Sequence, residues 1–157
     1  MKNDHYTPLI KEVKPISFLL HRAETTLANL QQFLPVAVEL YAEAVKYNLR
    51  ITGPIHWHYF DFSGDAAQPF TLEVSLPISE ILSEYDGKFH FKRTELFRCV
   101  SVIHDGSWLE IPTSYGKIMT LVQQSGLEPI GVNREIYINS DLFHADANST
   151  EIQFGVK

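Results

Sequence analysis

Gly53-Pro-Ile-His-Trp-His-Tyr59 and Gly131-Val-Asn-Arg-Glu-Ile-Tyr137 decide the fold, because they are two versions of one segment. Each follows a helix-like stretch, opens on a glycine and runs into a strand-like pattern. The offset between the glycines, 131 − 53, is 78 residues. The same offset aligns Leu49 with Leu127, Tyr59 with Tyr137, Glu73 with Glu151, Val74 with Ile152 and Ile78 with Val156. It also aligns the loop 61–70 with the loop 139–148 without a gap. Upstream, Leu20-His21 resembles Ile103-His104 at an offset of 83, so five extra residues are expected between the first strand and the helix of the first copy. Self-similarity on this scale signals a repeated architecture.

Each copy reads as strand, helix, strand, strand. In the first, 15–22 is apolar and extended, and a helical stretch runs from about Asn29 to Tyr47. Leu30, Phe33, Leu34, Ala37, Leu40, Tyr41, Ala44 and Val45 recur there at helical spacing, with Pro35 fitting a first turn. Segments 51–62 and 69–78 read as strands. In the second copy the strands are 96–104, 132–139 and 150–156. Ser107 and Glu110 have capping-box spacing, Ile111, Tyr115, Ile118, Leu121 and Val122 form the apolar stripe, and Gly126 ends the helix. Residues 79–87 join the halves, and Lys88 to Glu95 reads as a further hairpin arm.

This pattern predicts an α+β fold: a duplicated βαββ unit with pseudo-twofold symmetry and a mainly antiparallel sheet carrying both main helices on one face. The single domain, 1–157, would hold its repeats at about 10–78 and 96–157. Neither half alone buries much core, so they must pack together and leave a central cleft flanked by the two helices.

Composition narrows the function. A 157-residue chain that is 45% hydrophobic and 20% charged is an ordinary globular domain. Its net charge of −6 argues against direct nucleic-acid binding. No signal-like or membrane-length apolar run occurs, and Cys99 is the only cysteine, so a cytoplasmic protein is expected. Cys99 lies in the β-branched run Phe97-Arg-Cys-Val-Ser-Val-Ile103 and reads as a small core residue.

The alternation of 131–138 puts Glu135 and Tyr137 on one face, and the repeat gives them Trp57 and Tyr59 as partners. Converging on one cleft, these four would offer a single carboxylate among aromatic rings, suited to an amphipathic or cationic ligand. The plainer reading is that Glu135 pairs with Arg134 or a lysine on an exposed face while the rings merely pack. Pattern alone leaves both open. Tyr41, Tyr115 and Met119 on the helices are candidates for the cleft walls.

Gln123-Gln-Ser-Gly-Leu127, Glu128-Pro-Ile-Gly131, Arg134-Glu-Ile-Tyr137 and the final Thr150-Glu-Ile-Gln-Phe-Gly-Val156 resemble the GyrI-like small-molecule-binding domain. That domain is the effector-binding module of AraC-class and MerR-class multidrug-sensing regulators, and it also occurs alone. His104-Asp-Gly-Ser-Trp108 resembles its strand-to-helix turn. The resemblance implies a duplicated βαββ fold with a ligand cleft between the copies, and Glu135 stands at the family's acidic cleft position. With the first strand expected near residue 10, the chain has no room for a preceding helix-turn-helix, so a stand-alone binder is expected. Some stand-alone relatives resemble hydrolases of cyclopropane-bearing electrophiles, in which Glu135 would be the catalytic base. A gyrase-inhibitor-like or separate-regulator protein partner is the further alternative.

No metal site and no cofactor are expected. His56 and His58 share a strand face, but Asp61 falls on the other parity, so satisfied or solvent-facing histidines are the better reading. Lys88-Phe-His-Phe-Lys-Arg93 reads as a solvated arm rather than a nucleic-acid strand.

Overall fold

The alternating segments form one sheet in the computed structural model, which describes residues 7–157. The first copy supplies β2 (Ser17–Thr25), α1 (Val36–Lys46), β3 (His56–Phe60) and β4 (Phe70–Pro77). The second supplies β6 (Phe97–Asp105), α2 (Ile111–Gln124), β7 (Pro129–Asn139) and β8 (Ser149–Val156). A short strand precedes each copy: β1 (Leu9–Val13), which starts near residue 10 but is separate from the strand read at 15–22, and β5 (His90–Arg93).

All pairings are antiparallel, in the order β1-β6-β8-β7-β3-β4-β2-β5. That order maps onto its own reverse when each strand is exchanged for its counterpart in the other copy. The seam is β3 with β7, where Trp57 lies opposite Glu135, its partner at the offset of 78. The pseudo-twofold axis therefore passes through this pair.

Two details of the repeat differ from expectation. Pro77 pairs with Phe18 and Gly155 with Cys99, so Phe18 corresponds to Cys99 at an offset of 81, not 83. The first copy thus holds three extra residues ahead of its helix rather than five. A two-residue slip keeps every side chain on its face, which is why the apolar pattern did not betray it. Lys88 to Glu95 is also no hairpin arm, since β5 pairs with β2 while β1 pairs with β6. The copies have exchanged their leading strands.

Connectors 14–16 and 94–96 link strands at opposite ends of that order. Three residues reach roughly 10 Å, so the sheet must curl until its ends meet. At the crossing, the Thr94 N–H donates to the Ile16 carbonyl at 2.9 Å, and the Ile16 N–H to Thr94 Oγ1 at 2.9 Å. The curl buries an inner face that no helix covers. Phe18, Cys99, His56, His58 and Arg134 all lie there. His56 Nδ1 and His58 Nε2 are 3.1 Å apart, so these histidines are buried and mutually satisfied, not solvent-facing. The Arg134 guanidinium stacks 3.8 Å from the Phe97 ring centroid.

The outer face carries both helices. α1 packs on β2 and β4 through Val36, Leu40 and Ala44, and α2 on β6 and β8 through Ile111, Ile118 and Val122. The expected helix from Asn29 divides at Leu34-Pro35: Leu27–Phe33 is a 3-10 helix, and α1 starts directly after the proline. Proline lacks the N–H that a continuous helix requires. Ser107 caps a 3-10 turn, Trp108–Glu110, accepting from the Leu109 N–H at 3.2 Å, and α2 follows with Pro112 in its first turn. Gly126 adopts φ +61° and ends α2 as expected. Among the described residues no helix is long and apolar enough to cross a membrane.

Candidate ligand-binding cleft

A cavity of about 1330 Å³ lies over the β3–β7 seam between the helices. Tyr41, Trp57, Tyr59, Tyr115, Met119, Glu135 and Tyr137, the seven residues nominated from sequence, all line it. β3 and β7 supply the floor and the helices the walls. Ala37 and Tyr41 of α1 stand where Tyr115 and Met119 of α2 stand, at the offset of 78.

Glu135 is buried in this floor with 8% of its surface exposed. Tyr137 donates to Oε1 at 2.7 Å, Tyr115 to Oε2 at 2.9 Å, and Tyr59 reaches Oε1 at 3.5 Å, the long limit of a hydrogen bond. Strand parity places Glu135 between its two strand donors, Tyr59 and Tyr137, while α2 brings Tyr115 from above. Arg134 points to the inner face, so the surface-pair reading of Glu135 fails. Among the described residues no cation pairs with it.

Burial pushes the Glu135 carboxyl up from its ordinary value, and the hydrogen bonds from Tyr137, Tyr115 and Tyr59 pull it back. The same burial, reinforced by the Glu135 charge, drives all three phenols well above their usual range. They remain neutral donors. The result is one carboxylate held by three hydroxyls under an apolar chamber, with no salt-bridge partner among the described residues.

Rings complete the cage. Trp57 meets Tyr137 edge-on at 6.0 Å and 87°, and Trp108 meets it from another side at 5.6 Å and 70°. Sequence reasoning missed Trp108 as a wall, together with Leu30, Phe154 and Asn133. Asn133 shares the parity of Glu135, and Phe154 that of Ile152, so both were within reach of the strand argument. Leu142, in the loop after β7, carries no periodic signal at all.

Residues 6–157 match the GyrI-like small molecule binding domain, and the chain belongs to that family. Its structure is similar to the EcmrR C-terminal domain, with a TM-score of 0.79, 19% identity, and 97% of this chain and 98% of that one covered. In a cryo-EM structure of an EcmrR–DNA complex the TM-score is 0.81 at 19% identity, over 99% of this chain but 59% of EcmrR. The chain thus spans about three fifths of that relative. A hydrolase encoded by lin2189 from Listeria innocua gives a TM-score of 0.68 at 15% identity, covering 97% and 92%. SAV2435 bound to tetraphenylphosphonium gives 0.62 at 11% identity, covering 96% and 93%. At these identities the likeness is one of fold. No curated protein sequence matches the chain.

Proposed function

We propose that this protein binds amphipathic aromatic or cationic small molecules in the cleft, with Glu135 as its charge anchor. The observation that carries the reading is a buried carboxylate with three tyrosine donors and, among the described residues, no salt-bridge partner. A lipophilic cation supplies the missing charge, the rings of Trp57, Trp108 and Tyr137 offer their faces, and the apolar walls bury its substituents. Tyr41, Tyr59, Tyr115 and Met119 complete the binding set in this reading. Family membership and the tetraphenylphosphonium bound by SAV2435 support the ligand class. The net charge of −6 argues against direct DNA contact by these residues, and a protein partner in transcription or a gyrase-inhibitor-like role is the further alternative.

The test is a titration with tetraphenylphosphonium, read by tryptophan quenching and calorimetry. Wild type binds saturably, and Glu135→Gln, which keeps shape but removes charge, weakens binding at least about tenfold, or ~1.4 kcal/mol. Equal affinity of the two proteins rejects the anchor.

A second reading, hydrolysis of cyclopropane-bearing electrophiles, draws on the upward push on Glu135, which moves it toward acid–base work. Glu135 would take a proton from water, the water oxygen would bond to a ring carbon, and the broken C–C bond would receive the proton. Mass spectrometry distinguishes the two: a gain of one water is turnover, and an unchanged ligand mass is binding alone.

A further inference from the structure

We infer that His104 is a positioning residue for the cleft, fixing the two walls that come from the β6–α2 corner, Trp108 and Tyr115; this rests on reading the cleft as the ligand site. His104 ends β6 and is buried, with only 7% exposed. Its Nε2 lies 2.8 Å from the Ser107 carbonyl oxygen. A carbonyl only accepts, so Nε2 carries the ring proton. Nδ1 lies 2.8 Å from the buried Ser114 hydroxyl, which can donate to a bare ring nitrogen or accept from a protonated one. Both ring nitrogens are committed.

The two bonds grip the residues directly ahead of the cleft walls. Ser107 gives its carbonyl from the peptide that enters Trp108, and Ser114 immediately precedes Tyr115 on α2. Trp108 packs edge-on against Tyr137, and the Tyr115 hydroxyl reaches Glu135 Oε2 at 2.9 Å. A contact stretched to about 3.6 Å is no longer a hydrogen bond, so a shift of α2 by about 1 Å would forfeit that donor. The imidazole sets the height of the helix over the sheet.

The repeat supplies an internal control. At the offset of 81 fixed by strand pairing, His104 corresponds to Ala23, whose side chain can make no such tie. At the helix offset of 78, Tyr115 corresponds to Ala37, which sends nothing to a carboxylate. The tie exists in the one half whose helix delivers a hydroxyl to Glu135.

The experiment compares Ser114→Ala, which deletes one bond with little loss of volume, with His104→Gln and with Val122→Ala, a control that weakens α2 from a buried position away from the corner. Tetraphenylphosphonium affinity is measured well below each melting temperature. In parallel, meta-fluorotyrosine-labelled proteins report the environment of Tyr115 by fluorine NMR without any ligand, the resonance being assigned by its loss in Tyr115→Phe. Ser114→Ala and His104→Gln weaken binding about tenfold and shift or broaden the Tyr115 resonance, while Val122→Ala at matched destabilisation does neither. A Tyr115 resonance unchanged in Ser114→Ala overturns the inference. If tetraphenylphosphonium fails to bind even wild type, the ligand reading falls, and the NMR arm still decides the role of His104.

Discussion

Trp57 and Glu135 face each other across the β3–β7 seam and are also each other's counterparts in the repeat. A position on the axis is where a duplicated chain would otherwise meet itself. Two carboxylates here would sit with Cβ atoms about 5 Å apart, and each would suppress the ionisation of the other. An indole in one half and a carboxylate in the other give the chamber a single charge with an aromatic face beside it.

The tyrosine donors set when that charge is present. Burial raises the Glu135 carboxyl, and the Tyr137 hydrogen bond opposes it most among the three. Tyr137→Phe therefore pushes the carboxyl higher still. Cation binding needs the carboxylate and is lost as pH falls through its pKa, so affinity measured against pH has its midpoint moved upward in this variant. Loss of a charge-assisted hydrogen bond of about 1.5–3 kcal/mol implies a shift of roughly one to two pH units. An unmoved midpoint means that Tyr137 does not stabilise the charged form.

Acid should weaken the fold through its inner face. Burial lowers His56 to about 3 and His58 well below its ordinary 6.5, with the Arg134 charge as the next cause for both. The unfolded chain therefore binds protons that the folded chain refuses. Stability is intact above pH 6.5 and falls as pH drops from there toward 3, by up to about 1.4 kcal/mol per pH unit for each histidine. Glu135, whose carboxyl burial raises, contributes in the opposite sense. Urea unfolding at pH 7, 6, 5 and 4 measures the slope; a flat profile would show both imidazoles accepting protons in place.

Gly155 is expected to tolerate no side chain. A Cβ there would meet the Val132 carbonyl oxygen at 2.6 Å, where β7 bulges between Pro129 and Asn133, and the Phe97 ring at 2.8 Å. A backbone carbonyl cannot swing aside as a side chain does. Gly155→Ala should cost about 1–3 kcal/mol in denaturant unfolding, more than the same change at Gly116, where nothing lies within 4 Å.

Cys99 is fully buried, and burial pushes its thiol up to about 11. A thiol reagent at pH 8 should label it only as fast as the protein opens, and at once in denaturant. Rapid labelling of folded protein would mean that the curled sheet parts readily.

The local half of this structure was legible in the sequence. Alternation in 131–138 gave the face of Glu135, and the offset of 78 brought Trp57 and Tyr59 to it. What the sequence withheld is non-local. β1 is five residues long, ends just before Lys14-Pro15 and finds its partner β6 far along the chain, pairing Leu9 with Ser101 and Val13 with Phe97. Nothing in Leu9–Val13 points there. Tyr115 stood out by helical spacing, yet its reach to Glu135 depends on how high α2 rides over β8. That height is set by His104 and Ser114, whose meeting across ten positions no period describes.

The exchanged leading strands bear on how the molecule could be divided. Residues 79–87 look like a natural place to cut, but each fragment would carry away an outer strand that completes the other's sheet. The two pieces would remain mutually dependent: each lacks an edge that only its sister supplies, and the crossing at Ile16 and Thr94 joins them again. A nick there would yield a self-reassembling split protein, with its ligand chamber restored at the join.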